Sequence, residues 1–320
     1  MRRRDFIALL SGAGAMWPLA SRAQQSMPTI GFLTSTSPTT TLLRFIPASL
    51  KGFGWEENRN YRTLYRFAEG HMDRMPALAD ELVAQRVDIV VVASEEGIQA
   101  AQRATKTIPI VGLAADLVRT GLAASMARPG ANLTGVNILA NELDVKRLEI
   151  LHEVVPGAKR IGALALPHAS YDTRPELEAA ARQLDFELLF VTVHRIEDLT
   201  EGLDALQSAR VDGVNVLASP VVALSRARII EWLNRARLPA IYEWPEIADD
   251  GGLLTYGTRF ELAAEVAARL VSKILRGSRP EDLPIEQPDR YDLVVNLKTA
   301  RALGLTIPPT LLVRADKVIE

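Results

Sequence analysis

From Thr29 onward, short apolar runs alternate with stretches whose apolar residues recur at helical spacing. Thr29 to Thr34, Tyr61 to Phe67, Val87 to Ala93, Ile108 to Leu113 and Asn132 to Ile138 read as strands. The run from Val87 to Ala93 is continuous and β-branched, as in a strand buried on both faces. Between them, Thr40 to Phe53, Asp73 to Arg86, Glu96 to Thr105 and Asp116 to Met126 read as helices. A helix through Val154 stops at Pro156-Gly157, and the series then restarts. Strands are predicted at Arg160 to Leu166, Phe186 to Val193, Val211 to Ala218, Leu238 to Tyr242 and Gly252 to Tyr256. Helices are predicted at Glu176 to Leu184, Leu199 to Ala209 and Leu224 to Ala236. Such alternation implies parallel sheets with helices on both faces, an α/β architecture.

The two series match in order and locally in residues. Arg86-Val87-Asp88 and its apolar run align with Arg210-Val211-Asp212 and the run behind it. Thr107-Ile108-Pro109-Ile110 aligns with Arg237-Leu238-Pro239-Ala240-Ile241. A duplicated α/β unit gives two lobes with a cleft between the carboxyl ends of their strands, where ligands of open α/β sheets sit. The tail continues with an amphipathic helix over Arg259 to Arg276, carrying Leu262, Val266, Leu270 and Ile274 at four-residue spacing. Pro280, Pro284 and Pro288 then mark an extended crossing, Tyr291 to Asn296 a strand, and Lys298 to Leu303 a short helix before Pro308-Pro309 bends the chain into its end.

The first 23 residues read as an export signal. Arg2 to Arg4 form a basic head, Ile7 to Ala20 a weakly apolar run, and Ser21-Arg22-Ala23 a small-residue cleavage site. Arg3-Arg4-Asp5-Phe6-Ile7 fits the twin-arginine pattern. Cleavage near Ala23 and a periplasmic location are the expectation. The chain has 320 residues, 48% hydrophobic, and a formal net charge of -2, which gives no electrostatic footprint for nucleic acid. It has no cysteine, which removes disulfides, thiolate chemistry and cysteine metal sites.

Catalytic and cofactor motifs are absent from the sequence: there is no phosphate loop, nucleophile elbow or metal-spaced histidine pair. The strand-end loops instead carry what a small polar ligand needs. Ser35, Thr36 and Ser37 precede a helix, and their hydroxyls either hold a carboxylate or simply cap it. Ser94 and Glu95 follow the third strand and Asp116 the fourth. In the second half the corresponding places hold His168, Ser219, and the trio Tyr242, Glu243 and Trp244, with Tyr256 at the end of the next strand. An acid can pair with an ammonium group and an aromatic face can stack on the ligand body, a set that suits an amino-acid-sized zwitterion. For each aromatic, core packing is the alternative.

Several blocks carry a family resemblance. They include Ile30-Gly31-Phe32-Leu33, Arg128-Pro129-Gly130-Ala131-Asn132-Leu133-Thr134-Gly135, Gly251-Gly252-Leu253-Leu254-Thr255-Tyr256-Gly257 and Leu293-Val294-Val295-Asn296-Leu297. In these the chain resembles the substrate-binding proteins of ABC transporters, the family that includes tryptophan- and tyrosine-binding lipoproteins. The resemblance implies a type I periplasmic-binding-protein fold, two Rossmann-like lobes joined by a three-stranded hinge and closing over a small-molecule ligand. It implies a monomer that delivers to an inner-membrane permease with a separate ATPase subunit, without catalysis or cofactor. It divides the chain into an N-terminal lobe, 28–138 plus 258–282, and a C-terminal lobe, 139–257 plus 283–320. Three cleft loops depart from the family pattern: Ala93-Ser94-Glu95-Glu96 replaces a Gly-Gly-Thr-Pro loop, Asp116-Leu117 an Asp-Pro, and Leu166-Pro167-His168 an Asn-Pro-Asn. Glu95 adds a charge that suits an ammonium or other cation. The rival readings are a sensory receptor for a membrane signalling protein and an exported α/β enzyme. A repressor of the same architecture would carry a DNA-reading helix-turn-helix ahead of the lobes, where this chain carries the signal.

Overall fold

The computed structural model describes residues 27–39, 42–167 and 172–320. The export signal and His168 lie outside the described residues.

In the first half, β1 (Thr29–Thr34), β2 (Arg62–Phe67), β3 (Ile89–Ala93), β4 (Ile110–Ala114) and β5 (Leu133–Asn137) form one parallel sheet in the order β2-β1-β3-β4-β5. In the second half, β6 (Arg160–Ala165), β7 (Glu187–Thr192), β8 (Gly213–Val216), β9 (Ala240–Tyr242) and β10 (Leu254–Gly257) repeat that order as β7-β6-β8-β9-β10. Two late strands extend the second sheet: β11 (Asp292–Asn296) pairs antiparallel with β10, and β12 (Lys317–Ile319) parallel with β11. The matching strand orders are the structural counterpart of the duplicated sequence pattern.

The helices are α1 (Ile46–Gly52), α2 (Met75–Ala84), α3 (Glu95–Ala104), α4 (Leu143–Val154), α5 (Arg174–Gln183), α6 (Leu199–Ser208), α7 (Pro220–Arg235), α8 (Glu246–Asp249), α9 (Phe260–Leu275), α10 (Leu297–Leu303) and α11 (Pro309–Arg314). Proline sets several of their starts, because it lacks an N–H and has a fixed φ that suits the first turn. Pro47 delays the regular helix predicted from Thr40, so α1 begins only at Ile46 after a 3-10 turn. Pro220 behind the Ser219 cap starts α7 earlier than the predicted Leu224. Pro309 opens α11, so the end of the chain is a helix and a strand rather than a bend.

The helix predicted over Asp116 to Met126 does not form. The Asp116 carboxylate accepts from the Val118 and Arg119 amides at 2.9 and 3.0 Å, a side-chain turn that competes with helix. Gly121 then takes φ +74°, and the chain loops to Pro129.

Three crossings join the halves. The first follows β5, the second is Thr258–Arg259 after β10, and α9 then packs on α1 in the first half. Trp55 Nε1 donates to Ser272 Oγ at 3.1 Å, and Arg276 Nη2 to the Phe53 carbonyl at 2.7 Å, both fixing that contact. The third crossing comes later than the predicted boundary after Asp282. Glu286 N donates to Gly135 O and Asn137 N to Glu286 O, so the segment lies along β5 until Glu286. Two glycines are required by close approach. A Cβ on Gly135 would stand 2.1 Å from Gly112 O, and one on Gly257 would stand 2.1 Å from Glu243 O.

Candidate functional site

The order reversal that puts β1 beside β3, and β6 beside β8, opens a crevice at their carboxyl ends in each half. The two crevices face each other across one cavity, whose empty space with its open mouth included is about 730 Å³. Its first-half wall comes from the ends of β1, β3 and β4, its second-half wall from the ends of β8 and β9, and both crossings after β5 and β10 contribute.

Two helix N-termini border the cavity. Ser94 caps α3, its Oγ accepting from Gly97 N at 3.1 Å, and Ser219 caps α7, its Oγ accepting from Val221 N at 3.1 Å. The Ser219 hydroxyl donates in turn to Pro167 O at 2.6 Å, holding the β6 loop to the site. Both serines therefore cap a helix and line the cavity at once. Thr36 Oγ1 is 3.0 Å from Thr34 Oγ1, while Ser35 Oγ is buried with no partner in the protein.

Three carboxylates stand on the wall: Glu95 and Glu96 in the first turn of α3, and Glu243 just past β9. Glu243 is only 5% exposed. Burial pushes its carboxyl up to about 8, with Asp144 adding to the rise and Arg147 and the Ser219 N–H opposing it. Trp244 and Phe260 form an aromatic wall beside it, ring centroids 4.4 Å apart and planes tilted by 52°.

A fully buried ion pair underlies the site. Arg147 Nη2 donates to Asp144 Oδ1 at 2.6 Å and also to Ala140 O, and Nη1 donates to Tyr256 O at 2.9 Å. Asp144 Oδ1 accepts from Ala218 N at 3.2 Å, and Asn215 Nδ2 donates to Asp144 O at 2.9 Å. Burial raises the Asp144 pKa, opposed by the Arg147 guanidinium. One guanidinium thus ties the first crossing, at Ala140, and the end of β10, at Tyr256, to α4, while Asp144 holds the cavity floor at Ala218.

Of the residues expected to bind ligand, Ser35, Thr36, Ser94, Glu95, Ser219, Glu243 and Trp244 are brought together on the cavity wall. Four others are not on it. Ser37 lies outside, its hydroxyl 3.1 Å from Thr39 Oγ1. Asp116 is engaged in its own turn and accepts from Asn137 Nδ2 at 3.2 Å. Tyr242 is a core residue, 1% exposed, its phenol pKa raised by burial. Tyr256 packs near Tyr291, with ring centroids 6.4 Å apart, and presents its carbonyl to Arg147. The alternation of strand side chains explains Tyr242: it lies within β9, whereas Glu243 and Trp244 follow the strand end. Asn141 and Phe260 were missed, although each sits in the crossing after a strand, and the strand-end rule applied to β5 and β10 would have found them.

Comparison with known proteins fits this geometry. Residues 42–319 match the model of the ABC transporter substrate binding protein family. The chain belongs to that family. It is 24% identical over 265 residues to a tyrosine-binding protein of Clostridioides difficile (strain R20291), covering 82% of this chain and 75% of that relative. A crystal structure of a conserved domain protein from Vibrio cholerae aligns with a TM-score of 0.84 at 26% identity, covering 91% of this chain and 99% of that one. A Streptococcus structure in complex with L-Trp aligns at 0.83 with 23% identity, covering 92% and 100%. The two-lobed type I periplasmic-binding-protein fold is shared with these structures, and the protein is a substrate-binding protein of the ABC-transporter family.

Proposed function

We propose that this protein is an exported, non-catalytic receptor that captures a small amino-acid-like solute between its lobes and delivers it to an ABC permease with a separate ATPase. The observation that carries the reading is the cavity bordered by two capped helix N-termini, carboxylates and an aromatic wall drawn from both halves. Helix N-terminal amides suit a carboxylate, acids suit an ammonium, and Trp244 with Phe260 suits an apolar or aromatic body. The tyrosine-binding relative and the neighbour solved with L-Trp support the same ligand class. Binding works by hinge closure, in which contacts to both lobes select the closed state. The receptor acts as a monomer in the periplasm, after a twin-arginine-type signal is cleaved near Ala23.

A thermal-shift screen of the twenty amino acids and their aromatic analogues tests this. A true ligand raises the melting temperature in step with its concentration, reaching about 2.7 kcal/mol of added stability at a hundred times its Kd. If every solute leaves the transition where it was, the reading fails. Consumption of a bound solute, followed by chromatography, would instead mark an enzyme.

A further inference from the structure

Among the described residues the charged side chains on the cavity wall are Glu95, Glu96 and Glu243, and no Lys, Arg or His lines that wall. Glu243 stands out because it is nearly sealed from water and shares the cavity wall with the aromatic pair Trp244 and Phe260. The charged groups around it are Asp144 and Arg147 on α4, Glu95 and Glu96 on α3 across the cleft, and Glu246 farther along its own segment. The only cation in this set, Arg147, is already held by Asp144 and by the carbonyls of Ala140 and Tyr256. On the opposite lobe, buried Ser35 Oγ lines the same cavity with no partner in the protein, a second polar group set for a ligand.

We infer that Glu243 is the residue that recognises a cationic amine on the ligand, and that binding drives the Glu243 proton into solvent. The inference rests on the reading that this cleft takes an amino-acid-like solute. In the unliganded cavity the carboxyl keeps its proton because burial outweighs the opposing pull of Arg147, already paired with Asp144, and of the Ser219 N–H, in line with its rise to about 8. An ammonium group brought against it supplies that charge. The Glu243 O–H bond then breaks, the proton passes to bulk water, and the ligand nitrogen keeps its protons in a charge-assisted pair. The ligand class is an alkylammonium compound with an apolar or aromatic body next to the amine. The aromatic wall receives that body, and the amine is what the site demands.

Isothermal titration calorimetry on the signal-free protein provides the test, with L-tryptophan, tryptamine and indole-3-propionate as probes in phosphate and in Tris. If the thermal-shift screen selects another amino acid, that amino acid, its decarboxylated amine and its deaminated acid replace them. Both amines should bind and the deaminated acid should not. The difference between buffers should report close to one proton released per ligand at pH 7, and affinity should rise about tenfold between pH 6 and pH 7. Glu243→Gln should abolish the proton release and weaken both amines at least about tenfold, with an unchanged circular dichroism spectrum. The pH profile of the unmodified protein reads the same linkage should that variant fold poorly. Binding of the amino acid with no proton exchange, or equal binding of the deaminated acid, overturns the assignment and leaves the receptor reading intact. Silence from every amino acid in the screen overturns both.

Discussion

Glu243 also makes a statement about stability before any ligand arrives. Its folded pKa of about 8 lies above that of an ordinary glutamate, so between the two values the native state holds a proton that the unfolded chain releases. Stability is therefore fully present below about pH 4.5 and falls as pH rises toward 8. Glu243→Gln removes that penalty while keeping the shape and an acceptor for the Ser219 amide. We expect the unliganded variant to be more stable than the parent by about 1–3 kcal/mol at pH 8, and about equal to it at pH 4.5. Chemical denaturation at the two pH values measures it, and a variant less stable at pH 8 would contradict the account. Gly257 carries a second residue-scale expectation. Its missing Cβ leaves room for the Glu243 carbonyl, which would stand only 2.1 Å away. Gly257→Ala must push the end of β10 away from the segment that follows β9, so it should cost about 1–3 kcal/mol and weaken ligand binding by displacing Glu243.

At the scale of elements, α9 is the clearest case of pattern becoming structure. Its Val266, Leu270 and Ile274 are buried as the four-residue spacing implies, while Leu262 at the start is half-buried. Ala263, Ala264, Ala267 and Ala268 are buried as well, and their small side chains let α9 approach the first half closely. Leu270→Ala should cost about 2–5 kcal/mol, read as a lower denaturation midpoint without a change in the helix content of the folded protein. The buried strands were equally legible, since β-branched runs such as Val87 to Ala93 have one physical reading. The segment after Asp116 was not, because apolar spacing there is overridden by one carboxylate that bonds two amides and by Gly121. The cavity wall was legible where a strand end feeds a capped helix, as at Ser94 and Ser219. It was misread at Tyr242, where one residue of strand separates core from cleft. The Asp144–Arg147 pair left no local signal, because its meaning comes from carbonyls at Ala140 and Tyr256 that only the fold brings near.

For the whole molecule, contacts across the cleft join the two halves beside the cavity. Arg119, after β4, stands 3.6 Å from Glu176 on α5 of the other half. Gly70, after β2, faces Leu224 on α7, whose Cδ1 would lie 3.3 Å from a Cβ built there. If the lobes open by the hinge motion proposed above, these groups separate and so bias closure without touching the ligand. The ion pair is about half exposed on both sides, and such pairs contribute between zero and about 1 kcal/mol. Glu176→Lys turns the attraction into repulsion at the rim. Its effect should be a loss of affinity of no more than about fivefold, carried by faster ligand release rather than slower capture, because the contact exists only after closure. Added salt should shrink the difference between variant and parent, since a Debye length of about 8 Å at physiological ionic strength screens an exposed rim pair far more than the buried cavity floor. Stopped-flow release of bound ligand at low and high salt reads both quantities. A salt-independent loss, or one expressed in the capture rate, would mean that Glu176 acts on the ligand or on the fold of α5 and not on closure.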